Sequence, residues 1–506
     1  MTKHLYAAFS AFGILAVCLA LADAIRWSQA EYAVFNTIFP ITLSLISIWF
    51  AFKIVQYDPN TIWTPAVLFL AHIAVFRGIG PLVYIFGNEV TQAQLWSGAW
   101  GITPEELLST HLLNTVGAMA VVGGMLLYLT FSRLDRARLA TATSAITVPQ
   151  AVLFFMIPGI IIRYGVVIPA TFGTGSLILI PGALIKLTFL IDLAFALLAF
   201  LAVTRKGQWQ LIFWALFIPH YFTLFLEFKK SALVLGGLLP IIGAYTGSRS
   251  VTGLVRNVLI LTVIYLGSQP VVHNAREEMN ATTGEIFGAS FSQRVDIATD
   301  MLFSDEGNLR DLVAEEESQG GWSRLSYAAN QAIAMRAYDA GGSAETIQDV
   351  WAVFVPRFLW PEKPTFNYLG RDFYYVITGN AESRTLVGST VFADAYWNFG
   401  WLGVTGIALT VGLFFGFATK YTLRFIRRQE FIYLPAIMMA MDLAMRKLNG
   451  WVLTGFLGQL PFYFAFLAMV WVFTMLLKGP GARRAGPSAA STGAVASSAR
   501  KEQVSA

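Results

Sequence analysis

The stretch LYAAFSAFGILAVCLALA, residues 5–22, decides the class of fold. It contains no charged side chain, and its length approaches the roughly 20 apolar residues that a helix needs to cross a bilayer. Similar runs recur along most of the 506-residue chain, which is 56% hydrophobic and 13% charged, with a mean hydropathy of +0.60. A soluble protein of this length is about one-quarter charged. The sequence therefore predicts an all-α polytopic integral membrane protein.

About twelve spanning helices are predicted, and the first is expected to be retained because no small-residue cleavage site follows it. The predicted spans are 5–23, 33–54, 63–86, 110–131, 147–168, 181–203, 209–226, 231–247, 256–272, 400–419, 431–447 and 451–477. Basic residues concentrate after the even-numbered spans, so the positive-inside rule predicts that both termini are cytoplasmic. The expected organisation is spans 1–9 in residues 1–272, a large extracytoplasmic loop in 273–393, spans 10–12 in 394–478 and a disordered cytoplasmic tail in 479–506.

The large loop holds 9 basic and 17 acidic residues, so it is acidic overall. Helical periodicity in SRLSYAANQAIAMRAYDA (323–340) and ETIQDVWAVFVPRFLW (345–360) predicts short amphipathic helices at the outer membrane interface. The prolines of VPRFLWPEKPTF (355–366) predict a rigid turn, because proline fixes its own backbone angle. Trp360 in this turn suits the headgroup layer.

Several kinds of site have no support in the sequence. Cys18 is the only cysteine, which excludes an internal disulfide and a cysteine-based metal site. The five histidines show no paired spacing, so no metal is expected. No phosphate-binding loop is present, and no cofactor is expected. The pI of about 9.1 follows from positive-inside sorting, so nucleic acid is not an expected partner.

Eight basic residues oppose the positive-inside rule because they fall near the predicted outer ends of spans: Arg26, Arg77, Arg163, Lys186, Lys229, Lys230, Arg446 and Lys447. Charged side chains at this depth usually face a cavity or bind a ligand. Together they predict a cationic ring suited to a lipid-linked diphosphate, which arginine binds bidentately and lysine as a point charge. Structural alternatives remain open: Arg77 and Arg163 could snorkel to the interface, and Lys229 could pair with Glu227. Two acidic residues in other spans are interpreted as partners of buried polar groups, Asp192 and Asp442.

Two motifs, VPRFLWPEKP (355–364) and LVGSTVFADAYWNFGWLGVTG (386–406), resemble bacterial oligosaccharide repeat-unit polymerases of the O-antigen polymerase (Wzy) type. That family shows an outer-loop element like PRxxWPxKP, then a Ser/Thr pair before an acidic residue and an aromatic–Asn–Phe–Gly sequence. The matching positions are Pro356, Arg357, Trp360, Pro361, Lys363, Pro364, Ser389, Thr390, Asp394, Tyr396, Asn398, Phe399 and Gly400. The family's acidic residue is more often glutamate, where this chain has an aspartate.

The resemblance implies that a growing glycan moves from undecaprenyl diphosphate onto a fresh lipid-linked repeat unit, at the outer face of the bacterial inner membrane. In that picture the catalytic candidates are Arg357 and Asp394, from the two motifs, and Arg163, from the cations near the predicted outer ends of spans. The substrate-binding set that goes with it is Arg77, Lys229, Lys230, Trp360, Lys363, Arg371, Tyr396 and Asn398. Membrane lipids are expected partners, and a flippase and a chain-length regulator are candidates.

Structural alternatives remain open for both motifs. The first could be an interfacial turn anchored by Trp360, and the second could be a helix start with Asn398 as the N-cap. Two other functions also remain open: a ligase that moves the finished glycan to another acceptor, and a flippase for lipid-linked oligosaccharides. The ligase would share the donor chemistry of a polymerase. The flippase is disfavoured by the long outer loop and by the lack of evident inverted repeats.

Overall fold

The computed structural model describes residues 1–132, 146–172, 184, 187–283, 289–303, 322–344, 346–348, 350–355, 359–360, 362, 367–380, 382, 385–445, 448–449 and 453–478. In order along the chain, its main helices are Thr2–Asp23 (α1), Gln29–Tyr57 (α2), Pro65–Phe86 (α3), Glu89–Trp96 (α4), Pro104–Phe131 (α5), Val148–Phe172 (α6), Phe189–Thr204 (α7), Gln208–Leu226 (α8), Lys230–Ser248 (α9), Val251–Thr283 (α10), Phe291–Phe303 (α11), Ala328–Asp339 (α12), Asn367–Thr378 (α13), Val391–Arg427 (α14), Leu434–Met445 (α15), Leu453–Leu457 (α16) and Leu460–Lys478 (α17). The described residues contain no β-strand.

Ten helical segments in this part of the chain are long and apolar enough to cross a membrane. Two further apolar helices are shorter, Phe189–Thr204 and Phe431–Met445, and they lie at the positions of the sixth and eleventh predicted spans. The protein is therefore an all-α, multi-pass membrane protein, as its composition predicts. The total of twelve spans stays a prediction, and so does the disordered tail, which lies outside the described residues.

Where helix boundaries differ from the predicted spans, local contacts explain the difference. α5 begins at Pro104 instead of residue 110 because Thr103 and Glu106 form a capping box: Glu106 N donates to Thr103 Oγ1 at 3.1 Å, and Thr103 N donates to Glu106 Oε2 at 2.8 Å. α10 has 33 residues and is about 50 Å long, so it extends well beyond a hydrocarbon core of roughly 30 Å. Its polar last turns therefore continue the helix into the region predicted as loop.

The large loop contains one of the two predicted amphipathic helices. α12 forms within the first predicted segment, and most of its residues are buried. In the second predicted segment, the residues from Val350 to Phe354 form a 3₁₀ helix instead of an α-helix. α4 was not predicted from the sequence. It begins after Asn88, whose Oδ1 atom accepts a hydrogen bond from Thr91 N at 2.8 Å.

Contacts between side chains show which helix ends lie together. Ser109 near the start of α5 donates a 2.6 Å hydrogen bond to Asp23 at the end of α1, and Arg336 of α12 pairs with Glu106 of α5. We call this end of the bundle, which carries α12, the loop end. At the opposite end, basic residues of α14 contact the termini of α2 and α5, through the pairs Arg427–Asp58 and Lys420–Ser132. Which of the two ends is cytoplasmic stays a prediction.

Candidate functional site

Arg163 and Lys229, both predicted site residues, share one carboxylate at the loop end. α6 becomes π-helical over Arg163–Val167, a geometry that often marks functional sites. The Arg163 guanidinium is 7% exposed and forms an ion pair with Glu227, which follows α8. Lys229 Nζ lies 3.7 Å from the other oxygen of Glu227. The pairing of Lys229 with Glu227 is thus confirmed, and Arg163 is a buried partner of the same group.

Two more arginines contact the residues on either side of Glu227, and neither was predicted as a site residue. Arg276 of α10 donates to the carbonyl oxygen of Phe228 at 2.8 Å, and Arg294 of α11 donates to that of Leu226 at 3.1 Å. Burial lowers the pKa of Arg294 to about 10, which leaves the side chain charged at neutral pH. We call this group the Glu227 cluster: Arg163, Glu227, Lys229, Arg276 and Arg294. It gathers four cations from separate parts of the chain.

A buried polar chain anchors the π-helical segment that carries Arg163. The hydroxyl of the next residue, Tyr164, lies 2.8 Å from His220 Nδ1, and His220 Nε2 is 3.1 Å from Asp192 Oδ1. Tyr164 also lies 3.1 Å from the hydroxyl of Thr223. These contacts tie α6 to α7 and α8. The structural role predicted for Asp192 is therefore confirmed.

Arg77 occupies a second π-helical segment, Ile73–Ile79 within α3. It is 1% exposed, so it does not snorkel to the bundle surface. Its Nη2 atom lies 3.4 Å from the carbonyl oxygen of Leu448, and its Cζ atom is 5.8 Å from the ring of Tyr327. Within the described residues, Nε and Nη1 have no hydrogen-bond partner. A buried cation with unused donors is costly unless a ligand or another group completes it.

The residues just before α12 cover Arg77. Trp322 Nε1 donates to the carbonyl oxygen of Ile79 at 3.0 Å. At Gly80 a Cβ atom would lie 2.3 Å from the carbonyl oxygen of Leu325, so only glycine permits this approach. Burial also raises the pKa of Tyr327, which keeps its hydroxyl neutral beside the guanidinium. The large loop thus closes over the arginine of α3.

Asp394 lies in a separate, fully buried network. Its Oδ1 atom accepts hydrogen bonds from the hydroxyls of Thr346 at 3.1 Å and Ser389 at 3.2 Å, and its Oδ2 atom accepts one from Leu453 N at 2.8 Å. Asn398 Nδ2 donates to the same Thr346 hydroxyl at 2.6 Å. The motif residues therefore join the start of α14 to the loop and to α16. A catalytic role for Asp394 stays a prediction.

The alternative interpretation of Asn398 as an N-cap is wrong. Asn398 lies seven residues inside α14, which begins at Val391. The helix is interrupted two residues later at Gly400, whose φ of 58° and ψ of −149° are non-helical. The aromatic–Asn–Phe–Gly sequence therefore marks a break within one long helix. It does not mark the start of that helix.

The other predicted site residues do not converge on the Glu227 cluster in the described contacts. Tyr396 donates to Asp339 Oδ1 at 2.9 Å, and Trp360 stacks on Trp351 with ring centroids 5.6 Å apart. Arg371 is exposed on α13. Lys230 begins α9, and its side chain is outside the described part of the structure. Also outside it are Lys186, Pro356, Arg357, Pro361, Lys363, Pro364, Arg446 and Lys447.

Comparisons of the chain with protein-family models, with curated proteins and with solved structures gave no match.

Proposed function

We propose that the protein is a metal-independent membrane glycosyltransferase that polymerises undecaprenyl-diphosphate-linked repeat units at the outer face of the bacterial inner membrane. In this proposal the chain spans the membrane twelve times, both termini are cytoplasmic, and the large loop and the loop end are periplasmic. The observation that supports it best is the buried Arg77 guanidinium, which has two nitrogen atoms without a partner among the described residues. A buried guanidinium with free donors is suited to bind the oxygens of a phosphate.

The proposed reaction is displacement at the anomeric carbon of the donor. A hydroxyl oxygen of the acceptor sugar forms a new bond to that carbon, while the bond from the carbon to the diphosphate oxygen breaks. The diphosphate leaves with the electron pair, and the hydroxyl proton passes to a carboxylate or to the leaving group. Negative charge grows on the diphosphate, so buried cations that face it lower the barrier. Arg77 and Arg163 are the proposed sources of this stabilisation, with Arg357 added from the loop as the resemblance implies.

The two arginine sites favour a polymerase among the possible functions. A polymerase binds two lipid diphosphates at once, one on the donor and one on the acceptor. Arg77 and the Glu227 cluster lie on different helices, and each arginine sits in a π-helical segment. We assign one site to each lipid diphosphate. A ligase that transfers the glycan to a different acceptor requires only one such site for its donor.

Replacing Arg77 with glutamine tests this function. Removal of a donor that stabilises a developing charge typically lowers the rate about 100- to 1,000-fold. We therefore expect Arg77→Gln and Arg357→Ala strains to accumulate single repeat units on the lipid at normal protein levels, as measured by mass spectrometry of lipid-linked glycans. Lys53→Gln is the matched control, because Lys53 belongs to α2 near the opposite end, where its Nζ atom donates to Gln56 and lies over the ring of Trp49.

The length of the accumulated lipid-linked glycan and the side of the membrane on which it lies separate the alternatives. Loss of a flippase would leave the lipid-linked units on the cytoplasmic side. Loss of a ligase would leave long glycans attached to their carrier. Wild-type glycan lengths in both the Arg77 and Arg357 variants would refute the proposed function.

A further inference from the structure

A polar cavity of about 410 Å³ opens at the loop end, beside α12. This volume lies within the range of small-molecule sites, roughly 300–1,000 Å³. Four parts of the chain line it: the end of α1, the start of α5, α12 and the kinked part of α14. The polar and aromatic side chains at its wall are Asp23, Glu106, Ser109, Arg336, Asp339, Tyr396 and Trp401.

The wall of this cavity is acidic, which distinguishes it from the arginine sites. Glu106 is neutralised by Arg336, whose Nε and Nη2 atoms donate to its two oxygens at 2.6 and 2.8 Å. That pairing raises the pKa of Arg336, so the guanidinium stays charged. Asp23 and Asp339 are the other two carboxylates of the wall. A phosphate would meet repulsion here, whereas the hydroxyls of a neutral sugar would find acceptors.

Asp23 and Asp339 are each held by one hydrogen bond, and each can accept further hydrogen bonds. Ser109 Oγ donates to Asp23 Oδ1 at 2.6 Å, and Tyr396 OH donates to Asp339 Oδ1 at 2.9 Å. Among the described residues, no hydrogen bond reaches the second oxygen of either carboxylate. A carboxylate accepts up to about four hydrogen bonds. Each aspartate can therefore accept hydrogen bonds from ligand hydroxyls without losing its existing contact.

Aromatic rings form the other side of the cavity. Trp401 is 37% exposed, and its ring meets that of Tyr396 edge-to-face with centroids 5.3 Å apart. The ring of Tyr338 also meets that of Tyr396 edge-to-face, with centroids 5.3 Å apart. The rings thus offer a fixed apolar surface beside the carboxylates. Apolar C–H groups on one face and hydroxyls around the rim are the chemical features of a sugar.

We propose that this cavity binds the acceptor glycan, as a site for neutral or amino sugars that is separate from the sites for the lipid diphosphates. This inference rests on the proposed polymerase function. α12 links the two kinds of site: Tyr327 lies over Arg77 just before the helix, and Ala332 and Asp339 line the cavity. At a rise of 1.5 Å per residue, these two positions lie about 8 and 18 Å from Tyr327 along the helix. The cavity therefore binds sugars that lie away from the diphosphate end of the lipid-linked acceptor glycan.

The test uses the full-length purified protein and the repeat oligosaccharide itself. The oligosaccharide is released by mild acid from the lipid that accumulates in a deletion strain, and its binding is measured by calorimetric titration. Asp339→Asn removes one charge from the wall but keeps an oxygen for Tyr396, and Trp401→Ala removes an exposed ring. Glu89→Gln is the matched control, because Glu89 is exposed at the start of α4 and does not line the cavity.

We expect the wild-type protein and Glu89→Gln to bind with the same Kd. Asp339→Asn and Trp401→Ala should each weaken binding about tenfold or more, and inorganic pyrophosphate should not displace the oligosaccharide. Unchanged Kd values in both cavity variants, or displacement by pyrophosphate, would overturn the assignment. Accumulated lipid-linked units together with no binding to the wild-type protein would refute the acceptor site alone. A deletion strain that accumulates no such units would refute the proposed function, and this site with it.

Discussion

Replacing Arg163 with glutamine should reveal how much of its role is structural. Arg163 and Glu227 form a buried pair, with side chains 7% and 12% exposed. Removing one member of such a pair costs about 3–5 kcal/mol, because the remaining charge stays buried. Lys229 lies 3.7 Å from the same carboxylate and retains part of the compensation. We therefore expect the lower limit, a loss of about 3 kcal/mol in the free energy of unfolding.

The double variant Arg163→Gln/Glu227→Gln separates stability from function. It removes both charges, so the loss of stability should fall to about 1 kcal/mol or less, since a neutral replacement of a buried pair is often tolerated. If the proposed function is correct, polymerisation should be lost in both the single and the double variant, because each lacks the cation assigned to the lipid diphosphate. The assays are thermal unfolding of the purified protein and glycan length in a complemented deletion strain.

Two results would refute this reasoning. Wild-type glycan lengths in the double variant would mean that Arg163 serves only to neutralise Glu227. An unchanged unfolding temperature in the Arg163→Gln variant would contradict the buried pair itself. Lys229→Gln is the control for stability only: its side chain is 41% exposed, and an exposed pair contributes about 0–1 kcal/mol, so the unfolding temperature should change little.

Two substitutions in the second motif (386–406) test its structural role. Asp394→Asn should lower the free energy of unfolding by about 2–3 kcal/mol, because the amide keeps only one oxygen and cannot accept both the hydrogen bond from Leu453 N and those from the hydroxyls. Unchanged stability with lost polymerisation would favour the catalytic role instead. Gly400→Ala should cost about 1–3 kcal/mol, because φ is 58° and the new Cβ would lie 3.0 Å from the ring of Tyr338. Gly406→Ala is the control for the second change, since no atom lies within 4 Å of its Cβ position, and equal effects of the two glycine changes would contradict the strained break.

The spanning helices could be predicted from sequence because each apolar run carries its own signal. The predicted span 209–226 and the observed helix Gln208–Leu226 differ by one residue. Other helix ends lie farther from their predicted positions. The start of α5 at Pro104 is set by a polar cap, and α10 continues through polar residues past the end of its apolar run. The break at Gly400 was not predicted, because hydropathy carries no information on one residue's backbone angles.

The candidate site could be predicted only in part. Arg77 and Arg163 stand out in the sequence because a cation in an apolar run is costly wherever the helix lies. Arg294 has no such signal, because it lies in a polar segment that also contains carboxylates. Asp23 and Asp339 are 316 residues apart in the chain, and only the packing of α12 against the spans places both at one cavity.

The sequence by itself determined the class of protein, the approximate helices and the presence of cations at unusual depth. These properties are local, because transfer of a segment into a bilayer depends on the composition of that segment. Only the tertiary structure decided that Arg163 shares Glu227 with Lys229, that two nitrogen atoms of Arg77 have no partner among the described residues, and that an acidic, aromatic cavity forms beside α12. Those facts depend on which distant helices touch, and packing between helices is set by the shapes of whole surfaces.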